Sequence, residues 1–126
     1  MKSDTILSSA GGSSPNEDGP WGSYTVLLKG DSFQIKRLTL LPGRRISAQL
    51  HHHRSEHWVV VRGMAEVSNN GRTFFVRPGE STFVPAGTRH RLANPGMIPL
   101  EVIEVQNGEY ITEDDIARFD DDFRRE

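Results

Sequence analysis

The segment GESTFVPAGTRHRLAN, residues 79–94, contains two short apolar runs joined by the turn Pro85-Ala86-Gly87. The turn ends one strand, and His90 begins the strand that returns. Short apolar runs separated by turn residues continue outward from this segment, from Tyr24 to Val105, and no helical period lies between them. Many short strands of this kind predict an all-β sandwich or barrel.

The pattern predicts nine strands, bounded by Gly, Pro, Asn or Asp. They are Tyr24–Leu28, Phe33–Leu41, Ser47–His53, Glu56–Arg62, Ala65–Ser68, Arg72–Val76, Ser81–Pro85, His90–Ala93 and Leu100–Gln106. Asn70-Gly71 predicts a hairpin, because both central residues of a type I′ turn have φ > 0. Thr112 and the acids that follow it predict a short C-terminal helix ending at about Phe119.

Composition excludes several classes of protein. The chain has 126 residues, no Cys and a formal net charge of -2. The length fits one domain, and the absence of Cys excludes disulfides and thiol chemistry. The charge argues against nucleic-acid binding, and no apolar run is long enough to span a membrane. Residues 1–19 are predicted to be a disordered leader without a signal peptide, and residues 20–126 one domain of a soluble, cytoplasmic protein.

Four of the five His lie in the segment QLHHHRSEH, residues 49–57. Alternate residues of a strand share a face, so His51 and a strand-bound His53 point the same way. If this run and the next form an antiparallel hairpin, Glu56 lies across from the region of His51. His90 supplies a further donor, and imidazole and carboxylate groups that converge inside a barrel predict a divalent-metal site.

The spacing Gly79-x5-Pro85-x-Gly87-x2-His90-x3-Asn94 resembles the second motif of the cupin family at all of its fixed positions. The first cupin motif is similar to Gln49-x-His51-x4-Glu56-x6-Gly63, with Gln in place of the first His. The resemblance implies a double-stranded β-helix, which is a small jelly-roll barrel.

Longer stretches resemble one branch of that family, the type II mannose-6-phosphate isomerase domain. They are PWGSY (20–24), KRLTLLPG (36–43), QLHHHRSEHW (49–58), NPGMIPLEVIEVQ (94–106) and EDDIARF (113–119). In that family the domain usually follows a mannose-1-phosphate guanylyltransferase domain, which suggests a separate guanylyltransferase as a partner. Gly19 stands where the family usually has Arg, so any phosphate-binding role of that Arg falls to another residue.

The resemblance implies a metal set of Gln49, His51, Glu56 and His90. The amide oxygen of Gln49 is a hard, neutral donor that favours Zn, Mn or Co. Two alternatives remain open. In the first, His53 replaces Gln49 or Glu56 as a metal ligand. In the second, the four residues form a hydrogen-bonded polar core without metal.

The resemblance also implies the interconversion of mannose 6-phosphate and fructose 6-phosphate, which needs a general base. The candidates are His53, His57 and, if it is not a ligand, Glu56. A phosphosugar also needs Arg or Lys at the pocket mouth, and the mildly basic charge of residues 1–112 suits an anionic ligand. The candidates for substrate binding are Lys36, Arg37, Arg54 and Arg91. Lys36 and Arg37 are adjacent, so only one of them points inward.

Two other classes of function remain open. A non-catalytic sugar- or metal-binding cupin that serves a separate guanylyltransferase is favoured by Gly19. An Fe(II) oxygenase-type cupin fits the two His and one carboxylate, whereas Gln49 argues against it. Exposed β-edges and the arm Pro20–Leu28 predict a homodimer.

Overall fold

The computed structural model describes residues 17–109, 111 and 115–119. This part of the chain contains eleven strands and no helix. In chain order they are β1 (Glu17–Gly19), β2 (Gly22–Lys29), β3 (Phe33–Leu40), β4 (Ala48–Leu50), β5 (Arg54–Arg62), β6 (Ala65–Asn69), β7 (Arg72–Val76), β8 (Ser81–Val84), β9 (His90–Ala93), β10 (Leu100–Gly108) and β11 (Ala117–Phe119). The all-β prediction is confirmed, and each predicted strand overlaps an observed one. Among the described residues, no helix has the length and apolar character needed to cross a membrane.

The strands form two antiparallel sheets that share one core. Sheet 1 has the order β1-β2-β3-β10-β5-β8, and sheet 2 has the order β11-β4-β9-β6-β7. The runs of His51 and Glu56 therefore do not form the antiparallel hairpin that the sequence left open. The strand of the first run, β4, ends at Leu50 in sheet 2, and Glu56 lies on β5 in sheet 1. The chain crosses from one sheet to the other through residues 51–53.

The inner face of sheet 1 changes from polar to apolar along the barrel. At the polar end, Gln106 pairs with Glu56 and with Gln34; one step further in, Glu104 pairs with Trp58 and with Lys36. Beyond this layer lies the apolar end, built from both sheets. Its buried side chains are Trp21, Leu38, Leu40, Ile46, Val60, Ala65, Val67, Val76, Leu92, Leu100 and Val102.

The C-terminal helix is a wrong prediction where the structure describes that region. Ala117–Phe119 form β11, which pairs antiparallel with β4. The preceding Asp115 accepts hydrogen bonds from the backbone N–H groups of His52 and His53. These tertiary bonds outweigh the local preference of an acidic segment for a helix N-terminus. Residues 112–114, where the helix was predicted to begin, lie outside the described residues.

The N-terminal boundary also differs from the prediction. Glu17–Gly19, expected in the leader, form β1 and pair with β2, with Glu17 opposite Tyr24. Residues 1–16 lie outside the described part. The stretch Pro20–Leu28 does not extend as an arm, because β2 pairs along its length with β3.

Candidate metal centre

Three side chains singled out by their sequence motifs meet inside the barrel at its polar end. His51, Glu56 and His90 are buried, and each offers a donor atom within 4.8 Å of the others. His51 Nε2 lies 3.4 Å from Glu56 Oε2, and His90 Nε2 lies 3.7 Å from Glu56 Oε1. The cluster draws on both sheets, since Glu56 is on β5 and His90 begins β9.

Gln49 lies beside this cluster on sheet 2. It is paired directly with His90 across β4 and β9. Directly opposed residues of an antiparallel pair project from the same face, so the Gln49 amide lies next to His90 on the inner face. Gln49 Nε2 also donates a hydrogen bond to Ser47 Oγ at 3.3 Å. The structure thus places the fourth predicted ligand beside His90.

Both buried imidazoles are held in the neutral state that binds metals. Burial, helped by the Arg54 guanidinium, lowers the pKa of His51 to about 4, and burial also lowers the pKa of His90. His51 Nδ1–H donates to the carbonyl oxygen of Asp115 at 2.9 Å, and His90 Nδ1–H donates to that of Thr88 at 3.0 Å. Each ring therefore presents the lone pair of Nε2 to the cluster.

Two atoms of the cluster have no hydrogen-bond partner among the described residues. They are Glu56 Oε1 and His90 Nε2, and both are buried. A buried polar atom without a partner costs about 1–3 kcal/mol. Both atoms are acceptors, so a cation between them would satisfy the two together. The donor set of two imidazoles and one carboxylate therefore fits a divalent metal ion.

A second carboxyl group, Glu104, lies beside Glu56. Trp58 Nε1 and Gln106 Nε2 each donate a hydrogen bond to Glu104 at 2.9 Å. Burial and the Glu104 charge raise the pKa of Glu56. Burial alone would raise the pKa of Glu104, but hydrogen bonding with Glu56, the charge of the Lys36 ammonium and the hydrogen bond from Trp58 outweigh it and lower that pKa well below its usual range. The two carboxyls thus lie in unlike environments, with Glu104 the more strongly ionised.

Asp115 fixes the loop that carries His51. Its Oδ1 accepts from the His52 backbone N–H, and its Oδ2 accepts from the His53 backbone N–H. Burial alone would raise its pKa, but these bonds and the bond with the His53 ring outweigh it and lower the pKa of Asp115. This residue and Glu104 were not predicted as site residues, because the acidic tail favours a helix and both faces of β10 carry apolar side chains.

The structure separates the four predicted substrate-binding residues into two groups. Lys36 and Arg54 point inward and are buried. Lys36 Nζ lies 4.3 Å from the centre of the Tyr24 ring. Arg37 is exposed on the outer face of β3, and Arg91 follows the inward-pointing His90 and so faces outward. Strand alternation therefore places Arg37 and Arg91 away from the interior, contrary to their predicted role.

The two His predicted to act as bases lie outside the buried cluster. His57 is exposed on the face of β5 opposite Glu56, with its ring centre 4.7 Å from that of Phe83. The side chain of His53 is 61 % exposed, and its Nδ1 lies 3.0 Å from Asp115 Oδ1. His53 is thus a rim residue backed by a carboxylate, and strand geometry directs His57 away from the site.

Strand register reveals one feature that sequence reasoning missed. A row of side chains runs across sheet 2 on the inner face, in the order Arg118, Gln49, His90, Asn69 and Arg72. We call it the inner row. Arg118 and Arg72 are exposed at its two ends. The row therefore sets a guanidinium group on either side of the residues nearest the cluster.

The family model described as "Mannose-6-phosphate isomerase C-terminal" matches residues 16–121. The chain belongs to this family. It is 53% identical over 106 residues to the alginate biosynthesis protein AlgA of Pseudomonas aeruginosa, a match covering 84% of this chain and 22% of AlgA. The mannose-1-phosphate guanylyltransferase ManC of Salmonella typhimurium is 49% identical over 106 residues, again 84% of this chain and 22% of ManC. The chain therefore spans about a fifth of the length of these curated relatives.

Solved structures confirm the cupin fold of this family member. The capsular polysaccharide assembling protein CapF of Staphylococcus aureus superimposes with a TM-score of 0.75 and 21% identity, over 82% of this chain and 33% of CapF. The cupin domain of Schizosaccharomyces pombe Cnp3 superimposes with a TM-score of 0.66 and 20% identity, over 68% and 64% of the two chains. At this level of identity the similarity establishes the fold alone.

Proposed function

We propose that this cupin is a metal-dependent mannose-6-phosphate isomerase that supplies phosphosugar for polysaccharide synthesis. The observation that carries the proposal is the buried cluster of His51, Glu56 and His90, whose two unpartnered acceptor atoms suit a divalent ion. Membership of the isomerase family and relatives named for alginate and xanthan biosynthesis support the substrate and the pathway.

Gln49, His51, Glu56 and His90 would hold the ion, and nitrogen and oxygen donors favour Zn, Mn or Co. When bound, such an ion supplies Lewis-acid polarisation of the sugar oxygens. The low pKa of His51 and the lowered pKa of His90 keep both rings neutral at physiological pH. The protein therefore does not have to remove protons from these two rings before they bind the ion.

Isomerisation moves a proton between C1 and C2 of the sugar, so a base has to reach that position. We assign this role to His53, because Nδ1 donates to Asp115 and fixes the ring at the rim of the polar end. A carboxylate behind an imidazole sets its tautomer and leaves the other nitrogen as the proton acceptor. The geometry favours His53 over the outward-facing His57.

The phosphate group needs cations outside the buried cluster. Arg72 and Arg118 lie at the two ends of the inner row and are exposed, so each can reach a ligand held at the rim. Guanidinium groups bind phosphate with paired N–H donors. We therefore assign phosphate binding to these two residues in place of Arg37 and Arg91.

The decisive experiment follows the C2 proton of mannose 6-phosphate by NMR in deuterated water, with the metal content of each sample measured by mass spectrometry. The wild-type chain loaded with Zn, Mn or Co should exchange this proton. H51A and H90A should lose both metal and exchange, whereas H57A should keep both. Metal-loaded wild-type protein without exchange contradicts the isomerase function, and unchanged metal content in H51A and H90A contradicts the site.

A separate test addresses phosphate recognition. R72M and R118M should raise the KM for mannose 6-phosphate about tenfold or more, because each removes a charge-assisted contact to phosphate. R37M on the outer face is the matched control and should leave KM unchanged. Equal KM values in the wild type and the three variants contradict the assignment of Arg72 and Arg118.

A non-catalytic domain that binds phosphosugar for a guanylyltransferase is the second candidate. Arg54 favours it, because its guanidinium already donates hydrogen bonds to Glu56 and His51 and so supports a polar core without metal. Calorimetric binding of mannose 6-phosphate without proton exchange supports this candidate.

Both candidate functions are compatible with a homodimer and with association with a separate guanylyltransferase. Light scattering of the chain, alone and mixed with a guanylyltransferase, tests them.

A further inference from the structure

Arg54 is a buried cation placed against the metal-binding groups. It begins β5, is 7% exposed and points inward beside Glu56. Its Nε donates to Glu56 Oε2 at 2.9 Å, and its Nη2 donates to His51 Nε2 at 3.0 Å. One guanidinium group therefore bonds to two of the three clustered side chains.

The two bonds of Arg54 differ in whether a metal ion can coexist with them. His51 Nδ1–H donates to Asp115, so Nε2 carries the one lone pair through which this ring accepts. Arg54 Nη2 uses that lone pair, and a metal bound to His51 Nε2 would need the same one. Glu56 has two oxygens: Oε2 accepts from Arg54, while Oε1 has no partner among the described residues. Glu56 can therefore keep Arg54 and bind a metal at the same time.

We propose that Arg54 is a positioning residue that acts as an internal cation and competes with the metal ion for His51. Without metal, it neutralises Glu56 and holds His51 Nε2 pointed into the cluster. When a divalent ion binds, Arg54 gives up the bond from Nη2 to His51 and keeps the bond from Nε to Glu56. The inference rests on the metal site of the proposed function and adds to it a partner exchange at one side chain.

Physical considerations support exchange over simple coexistence. A guanidinium group and a divalent cation that share one carboxylate repel each other, and the repulsion is strong in a buried site. A buried carboxylate also needs a compensating charge when no metal is present, and Arg54 supplies it. Release of the Nη2 bond lets the guanidinium group move away from the bound ion, while the Nε bond keeps Arg54 beside Glu56.

The first test observes the exchange directly by NMR. In the metal-free chain, the N–H signals of Arg54 at both Nε and Nη2 should be protected from exchange with solvent. Saturation with Zn²⁺ should remove the protection at Nη2 and leave it at Nε. Arg62 is an exposed residue of the same strand, with its Nη1 3.8 Å from Glu101 Oε2. It is the internal control, and the solvent exchange of its N–H signals should not change. Protection of both Arg54 signals at Zn²⁺ saturation overturns the inference.

The second test measures Zn²⁺ affinity by calorimetry. R54M removes the competitor and should tighten Zn²⁺ binding about tenfold, while R62M should bind as the wild type does. Equal or weaker binding by folded R54M shows that Arg54 only supports the site, and this overturns the inference. If R54M does not fold, R54K replaces it. Lys lacks the planar fork that bonds two acceptors, so R54K should also bind Zn²⁺ more tightly than the wild type, and no gain in affinity overturns the inference.

The outcomes separate this inference from the function on which it rests. A wild-type chain that binds no Zn²⁺, Mn²⁺ or Co²⁺ overturns the metal site, and the competition with it. A wild-type chain that binds Zn²⁺ with unchanged Arg54 signals overturns the competition alone.

Discussion

The ring of His51 makes two hydrogen bonds of opposite kind, and together they fix its chemistry. Nδ1–H donates to Asp115, and Nε2 accepts from Arg54. A cationic imidazole has no free lone pair and would face the Arg54 charge, so burial and the contact with Arg54 hold the ring neutral, although the bond to Asp115 acts in the opposite direction. The consequence is a site whose stability depends on pH even without a metal ion.

Acidification should destabilise the metal-free fold through His51. In the unfolded chain the pKa of a His is about 6.5, whereas burial beside Arg54 lowers the pKa of His51 to about 4. Between these values the unfolded state binds a proton at this position that the folded state does not. The His51 contribution to the free energy of unfolding should therefore fall as pH drops from about 6.5 to about 4, and level off below.

Urea denaturation across this pH range, in the presence of a chelator, measures the effect. H51Q should lose this part of the pH dependence, and H52Q, at an exposed position, should keep it. Parallel pH profiles for the wild type and H51Q would contradict the assignment.

At the residue scale, sequence motifs predicted the cluster but not its surroundings. His51, Glu56 and His90 follow from fixed spacing, because short motifs bring them to the ends of particular strands. Asp115 could not be predicted, since its partners lie more than 60 residues away along the chain. The outward position of His57 follows from strand alternation alone once Glu56 is taken as inward.

At the scale of elements, the loop of residues 51–53 and the segment around β11 support each other. β11 pairs with β4, and Asp115 bonds the backbone of the loop that leaves β4. A segment near residue 115 thereby controls the orientation of His51, which lies more than 60 residues earlier in the chain. The sequence pattern favoured a helix here because capping residues are a local signal, whereas the pairing of β11 is not.

Asp115→Asn should weaken this support. The amide is uncharged, and one of its two acceptor oxygens is replaced by a donor, so at least one bond to the loop is lost. We expect a loss of about 1–3 kcal/mol in the free energy of unfolding. We also expect about 10–100-fold weaker Zn²⁺ binding, as for other residues that orient metal ligands. Chemical denaturation and calorimetry measure the two effects, with D31N, at an exposed turn position, as the control. Unchanged Zn²⁺ affinity in D115N would show that the loop holds its shape without the carboxylate.

Two glycine turns allow a matched test of close packing. Gly63 and Gly71 both have φ of 84°, in the left-handed region that favours glycine. A Cβ at Gly63 would lie 2.9 Å from the carbonyl oxygen of Pro99, whereas a Cβ at Gly71 has nothing within 4 Å. Both Ala variants should lose about 1–2 kcal/mol from backbone strain, and G63A should lose more because of the clash. Equal losses in the free energy of unfolding, measured by urea denaturation, would show that the backbone at Pro99 shifts to accommodate the added methyl group with no further loss of stability.

The turn at Gly71 also shows what local sequence predicts well. Asn70 and Gly71 both have positive φ, as the Asn-Gly signal between two short strands predicted. That signal depends on two residues alone. The sheet assignment of β4 and β5 depends on the whole barrel, so the local sequence left open whether the two runs form a hairpin.

At the scale of the whole molecule, the cluster joins the two sheets. Glu56 comes from sheet 1, and His90 comes from sheet 2, with His51 just after β4. An ion bound to all three binds only when both sheets are in place. Ion binding is therefore expected to stabilise the complete fold rather than one hairpin.

Zn²⁺ should raise the stability of the entire chain in one cooperative transition. A free concentration one hundred times Kd adds about 2.7 kcal/mol to the free energy of unfolding. Thermal denaturation with Zn²⁺ and with chelator measures the gain. E56Q should show no gain, and E101Q, on the outer face of sheet 1, should behave as the wild type. A gain of equal size in E56Q would place the ion elsewhere.

At this scale the sequence predicted the class of fold and most strands, because alternation and turn residues act locally. The sequence pattern did not determine which face of β3 points to the interior, because Ile35 and Leu38 are both apolar and lie on opposite faces. Pairing with β10 decides it and turns Lys36 inward toward Glu104. Long-range pairing is thus the information that the local pattern lacks.

The division of the barrel into an apolar end and a polar end has a consequence for mutational scanning. A library that covers every position can be scored in parallel for cellular abundance and for ligand turnover. In such a library, variants at the two ends of the barrel should fall into two distinct classes. Variants of the apolar end, such as those at Leu40 and Val102, should lose abundance and turnover together. Variants of the inner row should remain abundant while turnover falls. Such a barrel can acquire a new substrate by changes at one end without first having to find a new core.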